Sequence, residues 1–184
     1  MKNNFIHIMK TSKDKKYIFL KKRSYDYKNY QIIPLRYDDI IKIKEWRNEQ
    51  ITILRQQEPI SEAEQLEYYE NKIKKSFIDT RPEQILFSFL LNGNCIGYGG
   101  LVHIDWEKKQ AELSFLNETK RSLNEKIFYE DFNSFLHLIF RIIFSELLFE
   151  KVLTEVYDTR QNLITILQEA RFIFVKKLDN SVII

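Results

Sequence analysis

Cysteine is nearly absent from this chain. Cys95 stands alone among 184 residues, which excludes an internal disulfide and a zinc site built on cysteines. Four glycines and three prolines are too few for a collagen-like or linker-like chain. The three histidines, His7, His103 and His137, lie far apart without metal-ligand spacing, so no metal is expected. Long apolar runs are missing as well. The best candidate, Phe132–Phe140, is bounded by Asp131 and Arg141 and falls short of the ~18 residues that cross a bilayer. Met1–Lys10 lacks the apolar core and small-residue cleavage site of a signal peptide. A soluble protein in a reducing cytoplasm, with no membrane partner, is the default expectation. The G-x-x-x-x-G-K-[ST], G-x-G-x-x-G and G-x-S-x-G signatures are all missing, which argues against P-loop, Rossmann and α/β-hydrolase chemistry.

What is present is apolar and aromatic. Hydrophobic residues make up 44% and aromatics 14%, with 14 Phe and 10 Tyr, enough for a packed core without a metal or disulfide staple. The length favours one domain. Charge is uneven: residues 1–30 carry a net +7, whereas residues 31–184 carry a net −4. We therefore divide the chain into a basic extension over 1–29 and a globular domain over 30–184. The extension reads either as a solvated tail or as an arm for nucleic acid or an anionic surface. Nucleic acid is disfavoured as the main partner, because no aromatic stacking platform with a basic rim is visible.

Along the domain, Lys16–Arg23 could be a short strand or part of the tail. Tyr30–Arg36 reads as a strand, placed at an edge by Pro34. Asp38–Gln50 reads as a helix, with Ile40, Ile43 and Trp46 at helical spacing. Ser61 and Glu64 form a capping box that opens a second helix. Gln84–Leu91 and Cys95–Ile104 read as strands joined at Asn92-Gly93, a pair suited to a type I′ turn. Gln110–Leu116 is a third strand after the turn Asp105–Lys109. A long amphipathic helix follows over roughly Leu123–Leu148, with Phe128, Phe132, Phe135, Ile139, Ile143 and Leu147 spaced by three and four. Lys151–Tyr157, Gln161–Ala170 and Phe172–Lys177 then read as strand, helix and strand. The order implies a mixed α/β sheet rather than a doubly wound parallel one. All four glycines fall between Gly93 and Gly100. Gly93 belongs to the turn. Gly97, Gly99 and Gly100 indicate either close packing or a bulge, or the wall of a binding cleft.

The strings IGYGGLVHI (Ile96–Ile104), AELSFL (Ala111–Leu116) and VLTEVYD (Val152–Asp158), with the long helix between them, resemble the GNAT superfamily of acetyl-CoA-dependent N-acetyltransferases. The early Trp46-Arg47-Asn48, with Arg55 downstream, is similar to a branch that includes ribosomal-protein N-terminal acetyltransferases and acetyltransferases of nucleotide-linked amino sugars. The resemblance spans about residues 30–178. It implies an α+β fold whose mainly antiparallel sheet splays between its fourth and fifth strands, flanked by helices. Only Leu178–Ile184 remains for the last strand, with Ser181–Ile184 as its stub. Either the chain is truncated or Lys16–Arg23 replaces lost sheet.

The resemblance also implies a site. Acetyl-CoA would enter the splay as co-substrate, pairing with Ser114, Phe115, Leu116 and Asn117. Its pyrophosphate would meet the start of the next helix, where free amides favour an anion. The family's loop there, [QR]-x-x-G-x-[GA], is here Asn117–Asn124 without any glycine. Lys120, Arg121, Ser122 and Asn124 would supply charge and hydrogen bonds instead. The positions matching the family's Asn and acid Tyr are Arg160 and Leu167, so Arg160 joins the cofactor residues and no tyrosine acid stands there. Glu112 on the third strand and His103 near Asp105 are the candidate bases, and Tyr157 the candidate proton donor to sulfur. Trp46, Arg47 and Arg55 would face the acceptor, the arginines suiting a phosphate or carboxylate. Each has a structural alternative: a sheet-end Glu, a hydrogen-bonded His, helix-end packing and ion pairs. His137 and Cys95 are expected to be packed residues. The implied reaction is acetyl transfer to a small-molecule primary amine, a nucleotide-linked amino sugar first among candidates. The alternatives are a protein N-terminus as acceptor, or a GNAT-like CoA-binding or interaction module with weak or no turnover.

Overall fold

In a computed structural model that describes residues 16–184, six strands form one sheet in sequence order: β1 Tyr25–Tyr27, β2 Tyr30–Pro34, β3 Ile85–Leu91, β4 Asn94–Asp105, β5 Gln110–Asn117 and β6 Lys151–Leu153. Pairs from β1 to β5 are antiparallel, and β5–β6 is parallel. The meander follows from its turns. Asn92 and Gly93 both have positive φ, 49° and 80°, as a type I′ turn requires. A parallel pair needs a crossover, and helices supply it. They are α4 Thr119–Ser122 and α5 Glu125–Phe140, the latter continuing as a π-helical stretch over Arg141–Glu146. On the N-terminal side, α1 is Ile40–Glu49 and α2 is Glu62–Tyr68. A π-helical turn at Tyr69–Ile73 leads from α2 into α3 Lys74–Ser76. The capping box is formed: Ser61 Oγ accepts from the Glu64 amide and Glu64 Oε2 accepts from the Ser61 amide at 2.8 Å.

The core lies where the apolar periods predict. β3 buries six of its seven residues. Phe128, Phe132, Phe135 and Ile139 of α5 are buried, and Phe135 meets Phe89 and Phe115. Each such side chain contributes roughly 1.5–3 kcal/mol of burial. Neighbouring residues of β4 show the two layers. A Cβ on Gly99 would lie 2.7 Å from Phe135 Cζ, on the α5 face. Tyr98 points the other way and meets Arg47 of α1.

The glycine cluster is thereby assigned to close packing. A Cβ on Gly97 would sit 2.7 Å from the Leu116 carbonyl, and one on Gly100 would collide with the Ile85 carbonyl.

Several expectations shift. Lys16–Arg23 is not a strand. It is an irregular segment that buries Tyr17 and Leu20, and β1 adds Tyr25 to the core. Residues grouped with the basic extension therefore belong to the packed body. Pro34 does sit at a local edge, because β1 pairs only as far as Ile32. The expected strand Lys151–Tyr157 divides at Thr154 into β6 and β7 Glu155–Tyr157. The expected strand Phe172–Lys177 contracts to β8 Lys176–Lys177. With β9 Ser181–Ile183, these form a second small sheet ordered β7-β9-β8, while α6 Gln161–Glu169 lies between β7 and β8 in the chain. Phe172 is buried by packing, with its ring 5.9 Å from that of Phe140, instead of by strand pairing. Among the described residues, no helix is long and apolar enough to cross a membrane, and no group of three or more His, Cys, Asp or Glu could hold a metal ion.

Candidate active site

The division at Thr154 opens the sheet. β5 pairs with β6 only over Gln110–Glu112, and Thr154 Oγ1 then donates to the Leu113 carbonyl at 3.3 Å. Beyond that point β7 turns away to pair with β9, and among the described residues no strand pairs with the β5 edge from Ser114 to Asn117 on that side, where Gln50 Nε2 donates to the Asn117 carbonyl at 2.9 Å. The gap is a cavity of about 110 Å³, bounded by Ser114 and Phe115 on one lip and Glu155 and Tyr157 on the other, with Arg160 also lining it.

The gap adjoins larger cavities on two sides, sharing lining residues with them. Between the start of α5 and α6 lies a cavity of about 510 Å³, which shares Phe128, Arg160 and Leu163 with the gap and adds Ser122, Thr159 and Gln161. On the opposite side are cavities of about 400 and 930 Å³, which share Arg47, Tyr68, Gln84, Val102 and Ser114. Ser114 borders the gap and both of these spaces. The split sheet is thus a passage between two open sites.

The cofactor-side expectations are only partly brought together. Ser114, Phe115, Ser122 and Arg160 line this passage. Leu116 is buried in the core. Asn117 is buried too, its Nδ2 donating to Asp131 Oδ2 at 3.2 Å. The glycine-free loop has closed on itself as α4. The amides of Arg121, Ser122, Leu123 and Asn124 donate to the carbonyls of Glu118, Glu118, Thr119 and Arg121. Those four amides are not an open cradle. Asn124 caps α5 by accepting from the Ile127 amide at 3.1 Å, and Arg121 is committed to Asp131. Lys120 is exposed beside them.

Arg160 differs from these groups. Burial pushes its pKa down, and its guanidinium has no hydrogen-bond or ion-pair partner among the described residues. Its nearest aromatic company is the Phe128 ring, 5.8 Å away. A half-buried cation without an anion is poorly compensated, so this position fits an anionic ligand beside the gap.

On the other side, Glu112 and Tyr157 line the gap, and His103 lines the neighbouring cavity. His103 has φ 49° at the irregular end of β4, and its Nε2 lies 3.9 Å from Glu112 Oε2. Tyr157 donates its hydroxyl to the Leu54 carbonyl at 3.2 Å. The Trp-Arg-Asn run divides its duties. Trp46 is a core residue and does not face the cavity. Arg47 reaches into the cavity, its Nη1 2.5 Å from Tyr98 Oη and its Nε 3.1 Å from Gln56 Oε1. Asn48 ties down the following loop: its Oδ1 accepts from the Ile60 amide at 2.8 Å and from Gln56 Nε2 at 3.0 Å, and its Nδ2 donates to the Ile60 carbonyl. Arg55 does not stand free for a substrate anion, because it pairs with Glu112 and Glu155. Sequence reasoning missed Tyr98 and Glu155 as site residues. Strand alternation places Tyr98 opposite the packed Gly99, which is the signal that could have found it.

The family model described as an acetyltransferase (GNAT) domain matches residues 32–182. Among solved structures, the chain is similar to the spermidine N-acetyltransferase of Vibrio cholerae in complex with CoA and spermine. The TM-score is 0.63 at 15% identity, over 84% of this chain and 92% of that one. It is similar to the Campylobacter jejuni N-acetyltransferase PseH, with TM-score 0.56 at 15% identity, over 85% and 96% of the two chains. A domain from Methanocaldococcus jannaschii gives TM-score 0.63 at 16% identity, over 86% and 97%. No curated protein matches the sequence.

Proposed function

This chain belongs to the GNAT acetyltransferases, and from that premise we propose that it moves the acetyl group of acetyl-CoA to the primary amine of a small molecule, a nucleotide-linked amino sugar being the first candidate. The observation that carries this reading is the passage through the split sheet, with Ser114 bordering both of its sides. An acyl donor and an amine can meet there without sharing an entrance, and such a meeting converts a bimolecular step into a local one.

Bound acetyl-CoA supplies an activated thioester. The chain's own residues do the rest. Backbone groups on the β5 edge at Phe115, which no strand pairs on that side among the described residues, hold the pantetheine arm and polarise the reacting carbonyl. Arg160, with the Ser122 hydroxyl nearby, takes the diphosphate in place of the closed amide loop. Glu112 accepts the proton of the attacking amine, directly or through water, with His103 as the alternative base. Tyr157, oriented by the Leu54 carbonyl, returns a proton to the departing sulfur. Arg47, held by Tyr98 and Gln56, gives the larger acceptor cavity a cation without an acid partner among the described residues, which suits an acceptor that carries phosphate or carboxylate besides its amine.

The test has two stages. Acetyl-CoA at sub-millimolar concentration should raise the melting temperature, since a ligand specific to the folded state stabilises it. CoA release should then be detected with at least one nucleotide-linked amino sugar, and Glu112→Gln should lower kcat by ~10²-fold. Absence of any thermal shift at millimolar acetyl-CoA would sink the proposal.

A further inference from the structure

Arg55 bridges the split. It leaves the loop after α1 and reaches a carboxylate on each lip: Nη2 pairs with Glu112 Oε1 on β5, and Nη1 lies 3.2 Å from Glu155 Oε2 on β7. Each acid turns one oxygen to this shared cation and has a neighbour for the other. Ser181 Oγ donates to Glu155 Oε1 at 2.7 Å, and His103 Nε2 lies 3.9 Å from Glu112 Oε2. The same loop is tethered beside it by the Tyr157–Leu54 hydrogen bond. Two carboxylates from opposite strands therefore converge on one positive charge beside the crossing point of the passage.

The exposures of the three side chains are unequal. The Glu112 and Glu155 side chains are 19% and 23% exposed, whereas that of Arg55 is 52% exposed. Solvent screens the arginine, so its hold is weaker than that of a buried pair and can yield to a cation that other contacts also bind. The acids are largely shielded and poorly served without a cation. Whatever displaces Arg55 must bring a positive charge of its own.

Resting on the acetyltransferase reading above, we propose that Glu155 is an acceptor-recognition residue, paired with Glu112 to seat the acceptor's ammonium, and that Arg55 occupies this seat in the free protein as an internal surrogate. The ammonium takes the arginine's place before it gives its proton to Glu112. Arg55 is then a selectivity filter, since a neutral or weakly bound molecule cannot displace it.

The seat can be tested without acetyl-CoA. Melting temperatures are measured with millimolar methylguanidinium or n-propylammonium, against tetramethylammonium at equal ionic strength. The unsubstituted chain should show no cation-specific shift. Arg55→Ala should gain one of about 2 °C or more with either probe. Arg55→Lys, which keeps a cation in place, should not gain it, and Arg55→Ala with Glu155→Gln should lose it. Should Arg55→Ala prove poorly folded, Arg55→Gln replaces it under the same criteria. With an acceptor in hand, Glu155→Gln should raise KM for the amine roughly tenfold with kcat little changed. A shift equal in the unsubstituted chain and Arg55→Ala, or one that survives Glu155→Gln, overturns the proposal. So does a loss in kcat with KM unmoved. Because the cation assay contains no acetyl-CoA, its failure is distinct from failure of the acetyltransferase reading.

Discussion

Arg121 holds Asp131 with a two-pronged grip: Nε lies 2.7 Å from Oδ2 and Nη2 lies 2.8 Å from Oδ1. The Asp131 side chain is wholly buried within α5. The same carboxylate accepts from the Tyr30 hydroxyl at 3.1 Å and from Asn117 Nδ2 at 3.2 Å. One acid thereby ties β2, the end of β5, α4 and α5 together beneath the mouth of the gap. Hydrogen bonding to Asp131 is the main cause that raises the Arg121 pKa. Placement of the Asn117–Asn124 segment rests on this pair instead of on glycines.

Removing the guanidinium should leave Asp131 buried and unpaired. Arg121→Ala is expected to cost about 3–5 kcal/mol in denaturant unfolding, because breaking a buried pair from one side strands the other charge. Arg121→Ala combined with Asp131→Asn should recover part of the loss. A loss below about 1 kcal/mol, the range of exposed pairs, would show that the grip is not structural.

Arg160 should behave in the opposite way. It is a shielded cation with no acid beside it among the described residues. Arg160→Ala is expected to leave thermal stability of the free protein unchanged or improved, and to weaken acetyl-CoA binding by roughly tenfold or more by calorimetry. Equal affinity in the variant would remove Arg160 from the diphosphate site.

Cys95 is buried at the start of β4, and its thiol is pushed up to about 12, mainly by that burial. It should resist iodoacetamide at about pH 8 in the folded protein and react promptly in denaturant, because the thiolate is the reactive form. Rapid labelling of the native chain would show that this part of β4 opens.

Tyr17 is fully buried, and its hydroxyl donates to the Leu86 carbonyl at 2.7 Å and accepts from the Leu86 amide at 2.8 Å. Tyr17→Ala should cost about 3–5 kcal/mol, as for other large aromatic truncations. Tyr17→Phe should cost less, about 1–3 kcal/mol for the stranded backbone groups. A negligible effect of Tyr17→Ala would return this segment to the status of a dispensable extension.

The sequence by itself determined the features whose physics is local. Asn92-Gly93 specified its turn because two adjacent residues had to accept positive φ. Ser61 and Glu64 specified a helix start because they satisfy each other's backbone donors within one turn. The phenylalanines of α5 announced their buried face through spacing alone. Tertiary structure decided everything that depends on residues far apart in the chain. Gly99 reads equally as a cleft wall or a packing site until Phe135 is placed against it. Arg121 reads as a free phosphate ligand until Asp131 is buried beside it. Arg55 reads as a substrate arginine until β5 and β7 bring Glu112 and Glu155, 57 and 100 residues away, to its two nitrogens. Backbone preference and capping act over a few residues and are written in order along the chain. The partner of a charge is chosen by the packing of whole elements, and only the folded sheet, with its break at Thr154, makes that choice.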